Sequence, residues 1–169
     1  MLYFAYGSNM DWSQMRDRCP SAQFVAVAKL PKYRLAFTRK SKDRSCGVAD
    51  VVADAANDVW GVVFDIPDAE FGKLDATEGF RPGRPLNRNS YNREQRHVLR
   101  DGDGDQPLLV WIYLGNAQHN PPPPNPDYKR LLVDGARYWH LPSNYVARLK
   151  RIRAHRMNLS KSENKLPNQ

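Results

Sequence analysis

The sequence predicts an α+β fold whose sheet is mainly antiparallel or closed into a barrel. Short β-prone runs outnumber the helical segments along the chain. The two kinds occur in a mixed order, whereas a doubly wound parallel sheet requires a regular alternation of strand and helix. With 169 residues, 41% of them apolar, the chain is long enough to bury one self-sufficient core. We therefore expect a single domain.

The first elements surround a glycine-containing turn. Residues 2–6 are a short aromatic run that predicts a strand, and Gly7, Ser8 and Asn9 predict the turn that follows it. Either Ser8 or Asn9 can cap a short helix that extends to Arg18.

The next part of the chain predicts strands. We expect four of them, at residues 24–30, 33–37, 48–53 and 59–66. Pro31 separates the first two, and a polar loop at 40–45 precedes the third. The polar residues Asn57 and Asp58 predict a hairpin turn before the fourth.

A helix is predicted to begin at Asp68, because apolar residues recur there at helical spacing until Gly79. A loop rich in proline and arginine follows at 80–90. The remaining predicted elements are a strand at 91–100, a turn at 101–106, a strand at 108–114, a polyproline connector at 121–124, and helices at 127–138 and 143–156. Residues 159–169 are predicted to be disordered.

The formal net charge of +8 is concentrated near the C-terminus. Residues 148–169 carry +6 of this total, so the rest of the chain carries only +2. This basic end is either a solvated tail or an arm that binds polyanions, and charge alone leaves both interpretations open. Aromatic residues are absent after Tyr145, so the tail offers no platform for stacking nucleic-acid bases, and we do not expect nucleic-acid binding.

Several classes of protein are excluded by missing signals. Cys19 and Cys46 form neither a disulfide framework nor a Cys-x-x-Cys motif, and the histidines lack the spacing of a metal site. No apolar run approaches the roughly 20 residues that a membrane span needs. The N-terminus lacks the basic segment of a secretory signal. These features predict a soluble cytoplasmic protein with no metal.

Two features suggest chemistry. The turn at 7–9 presents backbone N–H groups at the start of a helix, where a carboxylate or a developing oxyanion can bind. Glu78 ends a helix beside Phe80, and both the helix terminus and the apolar neighbour raise the pKa of a carboxyl group. By pattern alone, each feature is also compatible with an ordinary turn and an exposed glutamate.

Residues 3–10, Tyr-Phe-Ala-Tyr-Gly-Ser-Asn-Met, resemble the opening signature of the γ-glutamylcyclotransferase family. The similarity continues in order over about residues 2–152, at 20–30, 58–64, 74–79 and 124–145. It implies the fold of that family, a small mixed, mainly antiparallel β-barrel with flanking helices. We expect this domain to occupy residues 1–156, followed by a basic tail at 157–169.

The resemblance also implies a reaction. In that family a γ-glutamyl donor folds so that its α-amino nitrogen attacks its γ-carbonyl, which releases 5-oxoproline and an amine or amino acid. Glu78 is implied to be the catalytic base and then acid. The residues implied to bind the small γ-glutamyl substrate are Tyr3, Phe4, Ala5, Tyr6, Gly7, Ser8, Asn9 and Tyr128. No cofactor is required, because attack within one molecule gains its rate from held geometry. A homodimer is compatible with this resemblance.

Two other functions stay open at this point. One is a related cyclotransferase that acts on γ-glutamylamines or on a carrier-bound γ-glutamyl group, since a fold does not determine its substrate. The other is a non-catalytic protein whose basic tail binds polyanions. The loop after Glu78 carries Arg81, Arg84 and Arg88, which either belong to a surface insertion or recognise an anionic group on the leaving half of the substrate.

Overall fold

The computed structural model describes residues 1–155. Its regular elements are β1 (Leu2–Ala5), α1 (Trp12–Arg18), β2 (Gln23–Lys40), β3 (Gly47–Asp65), α2 (Asp68–Glu78), β4 (Tyr91–Arg100), β5 (Pro107–Gly115), α3 (Pro126–Tyr138) and α4 (Ser143–Lys150). Single 3₁₀ turns occur at Ser8–Met10 and Leu86–Arg88. None of the helices in this part of the chain has the length and apolar character to cross a membrane.

The five strands close into a barrel in the order β1-β3-β2-β4-β5. The pair that closes it, β1 with β5, is parallel through Tyr3 and Trp111, and the other pairs are antiparallel. The mixed, mainly antiparallel barrel with flanking helices is therefore confirmed. Closure removes exposed sheet edges, and it brings the end of β1 beside elements distant in sequence.

The longest pair, β2 with β3, corrects the predicted strand divisions. The two strands pair along their whole length, with three shifts of register, from Gln23 opposite Asp65 to Lys40 opposite Gly47. The predicted break at Pro31 and the predicted hairpin at 57–58 are therefore both wrong, because one long hairpin with its turn at 41–46 replaces the four short strands.

A bulge explains why the local signals misled. Pro31 lies opposite Asp58 whereas Tyr33 lies opposite Ala53, so β3 has extra residues at this point. The Asp54 side chain accepts hydrogen bonds from Ala56 N at 3.0 Å and from Asn57 Nδ2 at 2.9 Å. These turn-forming residues interrupt the strand without reversing it. Pro31 is tolerated here because the register is already irregular, so its missing N–H removes little of the hydrogen bonding between the strands.

The helix ends also differ in detail from the prediction. Asp11, rather than Ser8 or Asn9, caps α1, since its side chain accepts from Gln14 N at 2.8 Å. This leaves the side chains of Ser8 and Asn9 available for other contacts. The last helix ends at Lys150 and not at residue 156. The predicted tail at 157–169 lies outside the described residues.

Candidate active site

A cavity of about 520 Å³ opens where the turn after β1, the end of α2, the β2–β3 turn and the start of α3 meet. Of the residues singled out in the sequence, those that line the cavity are Tyr3, Tyr6, Gly7, Ser8, Asn9, Glu78 and Tyr128. Phe4 and Ala5 do not line it. They are fully buried, and the Phe4 ring packs near the ring of Tyr6 at a centroid distance of 6.3 Å.

Helical periodicity directs Glu78 toward the cavity. Phe71, Leu74 and Asp75 are the buried residues of α2, and Glu78 follows them at the spacing of the same helical face. Gly79 then ends the helix in the left-handed region, at φ 68°, where glycine carries no β-carbon penalty. The Glu78 side chain is consequently only 16% exposed.

Two donors hold one oxygen of the Glu78 carboxylate. Asn9 Nδ2 donates to Oε1 at 3.0 Å, and Arg18 Nη1 lies 3.2 Å from the same atom. Burial raises the pKa of Glu78 above its ordinary value, while Arg18, the Asn9 hydrogen bond and the more distant Arg44 lower it. Glu78 is thus a carboxylate shielded from water, whose pKa is set by the balance of burial and nearby cations. Such a group is suited to exchanging a proton with a bound substrate.

Asn9 connects this carboxylate to the rest of the site. Its Nδ2 also donates to Tyr3 Oη at 2.8 Å, and its Oδ1 accepts from Arg18 Nη1 at 2.5 Å and from Gln14 Nε2 at 3.1 Å. Because both ends of the amide are engaged, its orientation relative to Glu78 is set by the network.

Arg18 and Gln14 were missed by the sequence analysis. Both lie on α1, and Arg18 is a basic residue in the last turn of that helix. Such residues are common because they interact favourably with a helix C-terminus, so the pattern alone did not distinguish a site residue.

The turn at 7–9 lies directly against the cavity. Among the described residues, the backbone N–H groups of Gly7, Ser8 and Asn9 donate to no protein atom. A β-carbon on Gly7 would lie 3.2 Å from the Ala49 β-carbon and 3.6 Å from Tyr128 Oη. The absence of a side chain therefore permits the close approach that brings these donors to the cavity wall.

Tyr128 enters from the first turn of α3, which Asn125 caps by accepting from Tyr128 N at 2.7 Å. Its hydroxyl accepts from Ala49 N at 3.0 Å and retains its own proton for donation. The guanidinium of Arg44 lies over the ring, 5.2 Å from its centroid. Burial raises the pKa of Tyr128, so the hydroxyl stays protonated at neutral pH.

The arginines after Glu78 do not contribute to the cavity. Arg81, Arg84 and Arg88 are absent from its lining; Arg81 and Arg88 are exposed, and Arg84 is partly buried. The expectation that they contact the leaving half of a substrate is therefore not supported by their position. Cations from the β2–β3 turn line the cavity instead.

A second buried network holds α2 against the barrel. Asp75 accepts from Tyr113 Oη at 2.7 Å and from Arg93 Nη1 at 2.9 Å, which joins the helix to β5 and β4. Burial raises the pKa of Asp75, and both partners oppose this effect. No group of three or more potential metal ligands occurs within residues 1–155.

Comparisons with known proteins give a consistent result. The model of the AIG2-like family matches residues 58–149. A protein named gamma-glutamylcyclotransferase from Homo sapiens is 31% identical over 155 residues, covering 89% of this chain and 78% of that protein. Its counterpart from Mus musculus is 32% identical with the same coverage. A solved structure titled gamma-glutamyl cyclotransferase superposes with a TM-score of 0.83 at 29% identity, covering 96% of this chain and 94% of the other.

Proposed function

This chain belongs to the AIG2-like family and is a relative of the γ-glutamylcyclotransferases, and on that basis we propose that it cyclises a γ-glutamyl amide to 5-oxoproline with Glu78 as the acid–base group. The observation that carries the assignment of Glu78 is its position as a nearly buried carboxylate, held by Asn9 and Arg18, in the cavity that the turn at 7–9 lines.

Glu78 takes part in two proton transfers during the reaction. Ionised Glu78 first takes a proton from the α-ammonium group of the substrate, and the free amine attacks the γ-carbonyl carbon to form a C–N bond and an oxyanion. The protonated Glu78 then donates to the leaving nitrogen as the original amide bond breaks. The attacking nitrogen still carries one surplus proton after the C–N bond forms, and it passes that proton to the released amine, directly or through water. The products are 5-oxoproline with a neutral ring N–H and the released amine in its ammonium form, and Glu78 returns to its ionised state.

The turn at 7–9 and Tyr128 serve binding. The free N–H groups of the turn bind the α-carboxylate of the glutamyl half and the developing oxyanion, and Tyr128 donates its hydroxyl proton to the substrate. Tyr3 and Asn9 orient Glu78 through the hydrogen bonds already described. Phe4 and Ala5, which the resemblance grouped with these residues, act by supporting the turn from the core.

The test is the variant Glu78→Gln, with Glu70→Gln on the same helix as the matched control. Glutamine keeps the size of the side chain and one acceptor oxygen, but it cannot take up or release a proton near neutral pH. We expect Glu78→Gln to lower the rate of 5-oxoproline release by about a thousandfold. General acid–base catalysis typically contributes about a hundred- to ten-thousandfold. Glu70 does not line the cavity, so its variant should retain wild-type turnover.

Wild-type release of 5-oxoproline by a folded Glu78→Gln protein would overturn the assignment of Glu78. Circular dichroism and the Tm of both variants establish that each is folded. Absence of release by the wild-type protein from every γ-glutamyl donor would overturn the proposed reaction itself.

We also propose that the enzyme works in the cytoplasm, without a cofactor, and as a homodimer. Cys19 and Cys46 are buried free thiols, which is compatible with a reducing compartment.

Light scattering of the purified protein measures the proposed dimeric state, and a monomer at all concentrations would contradict the dimer.

A further inference from the structure

The cavity wall contributed by the β2–β3 hairpin is strongly cationic. We call the side chains of Arg39, Lys40, Lys42 and Arg44 the cationic wall, and all four line the cavity that contains Glu78. Asp43 is the one acidic residue of the lining that accompanies them on this hairpin. The wall therefore places a local excess of positive charge beside the site.

Among the described residues, no direct ion pair with a carboxylate neutralises this charge. Arg18, the other cation of the lining, pairs with Glu78. Within residues 1–155, no member of the cationic wall forms a salt bridge with a carboxylate. Unpaired like charges on one wall repel each other, and a bound anion relieves that repulsion.

The two arginines of the wall are held in place before any ligand binds. Arg39 donates to Asn116 O and, at 3.3 Å, to Ser90 Oγ. Arg44 donates to Gln14 Oε1 and stacks over the Tyr128 ring. Each guanidinium carries five N–H donors, so both retain donors for a ligand carboxylate after these contacts are made. Lys40 and Lys42 are exposed at the rim of the cavity.

The glutamyl half of the substrate does not account for these cations. It carries one carboxylate, which the proposed function assigns to the N–H groups of the turn at 7–9, and one ammonium group, assigned to Glu78. The cationic wall is therefore available to contact the leaving half of the substrate. A neutral amine would leave the four cations without a carboxylate partner, and a single carboxylate has only two oxygens to share among them.

We propose that the cationic wall selects γ-glutamyl donors whose leaving half carries at least two carboxylates, such as an acidic amino acid or an acidic peptide. This inference rests on the proposed function and extends it to substrate choice. The specificity-determining residues are Lys40 and Lys42 at the rim, with Arg39 and Arg44 as the preorganised inner pair.

Three donors with the same glutamyl half test the proposal, namely γ-glutamylethylamide, γ-glutamylalanine and γ-glutamylglutamate. Their leaving halves carry no, one and two carboxylates. We expect kcat/KM for 5-oxoproline release to rise in that order at low ionic strength. Raising the salt to about 0.5 M should reduce the differences, because exposed charge pairs are screened.

The double variant Lys40→Gln/Lys42→Gln identifies the residues responsible. It should lower kcat/KM for γ-glutamylglutamate by about three- to thirtyfold, mainly through KM, and leave γ-glutamylethylamide unchanged. The matched control is Lys32→Gln/Lys150→Gln, which removes the same charge from two exposed lysines outside the cavity and should change none of the three.

Equal kcat/KM for the three donors, or an equal loss on all three in the Lys40→Gln/Lys42→Gln variant, would overturn this inference and leave the proposed cyclisation standing. Failure to release 5-oxoproline from any donor would overturn the proposed function and this inference together.

Discussion

At the scale of single residues, the properties of Glu78 result from two opposing influences. Burial disfavours its charged form and raises its pKa, and Arg18 at 3.2 Å favours the charged form. In its proposed role as a base, Glu78 must be ionised to accept a proton, so the neighbouring cation extends the pH range of that role toward lower pH.

The variant Arg18→Gln tests this balance. Glutamine can still donate a hydrogen bond but carries no charge, so the pKa of Glu78 should rise further above its ordinary value. Because the ionised form is then lost at a higher pH, the acid limb of the kcat/KM profile should move to higher pH. The loss of activity should be larger in acid than in alkaline solution.

Arg18→Lys is the conservative control, and it should return the acid limb toward its wild-type position by restoring the charge. A uniform fall in kcat at every pH, with no movement of the limb, would mean that Arg18 acts only in folding. The pH profile thus separates an electrostatic role from a structural one.

At the residue scale, the sequence offers candidates where the residues lie in one contiguous motif or on one helical face. Gly7, Ser8 and Asn9 are adjacent in the chain, and Glu78 continues the buried stripe of α2. The partnership of Glu78 with Arg18 joins residues separated by 60 positions, which no local pattern encodes.

At the scale of elements, the placement of Glu78 depends on how α2 is attached to the barrel. Asp75 is the buried polar anchor of this helix, and Arg93 and Tyr113 hold it from β4 and β5. Arg93 also lies among the rings of Phe71, Phe80 and Trp111, at 4.8 to 5.4 Å from their centroids. One turn of helix separates this anchor from Glu78.

We expect Asp75→Asn to lower the free energy of unfolding by about 3 kcal/mol, because it leaves the Arg93 charge buried without its partner. The end of α2 should lose its orientation as well, so kcat should fall more than KM changes. Denaturant unfolding and 5-oxoproline kinetics measure the two effects.

Asp68→Asn on the same helix is the control. The Asp68 side chain is 81% exposed, and within residues 1–155 it pairs with the N-terminal amine alone, so this change should cost less than about 1 kcal/mol. Equal stability of the two variants would show that the Asp75 network does not anchor α2.

The long β2–β3 hairpin shows how pairing between strands can outweigh local turn preference. Asn57 and Asp58 are turn-forming residues, and their local preference predicted a reversal of the chain. Pairing with β2 along the full strand outweighed that preference and left a bulge. As a result the true turn at 41–46 lies at the cavity and carries part of the cationic wall.

At the scale of the whole molecule, the described lining of the cavity lies between Tyr3 and Tyr128, and we propose that the domain is complete at residue 156. A protein that lacks residues 157–169 should therefore keep wild-type kcat/KM and Tm. A marked fall in either quantity would contradict the predicted boundary at 156.

A chain ending at residue 142 provides the contrast, since it loses the α4 residues Tyr145, Val146 and Leu149 from the core. Removing large buried side chains costs roughly 2 kcal/mol or more each, so this shorter protein should unfold.

The sequence by itself determined the fold class, through the mixed order of its β-prone and helical runs, whereas Glu78 and the turn at 7–9 were candidates that rested on motifs resembling those of a known family. Only the tertiary structure decided that Arg18 pairs with Glu78 and that cations at 39–44, rather than the arginines at 81–88, face the cavity. The physical reason is barrel closure. Strand register and the parallel contact of β1 with β5 set which distant side chains meet, and those pairings are settled by packing across the whole sheet.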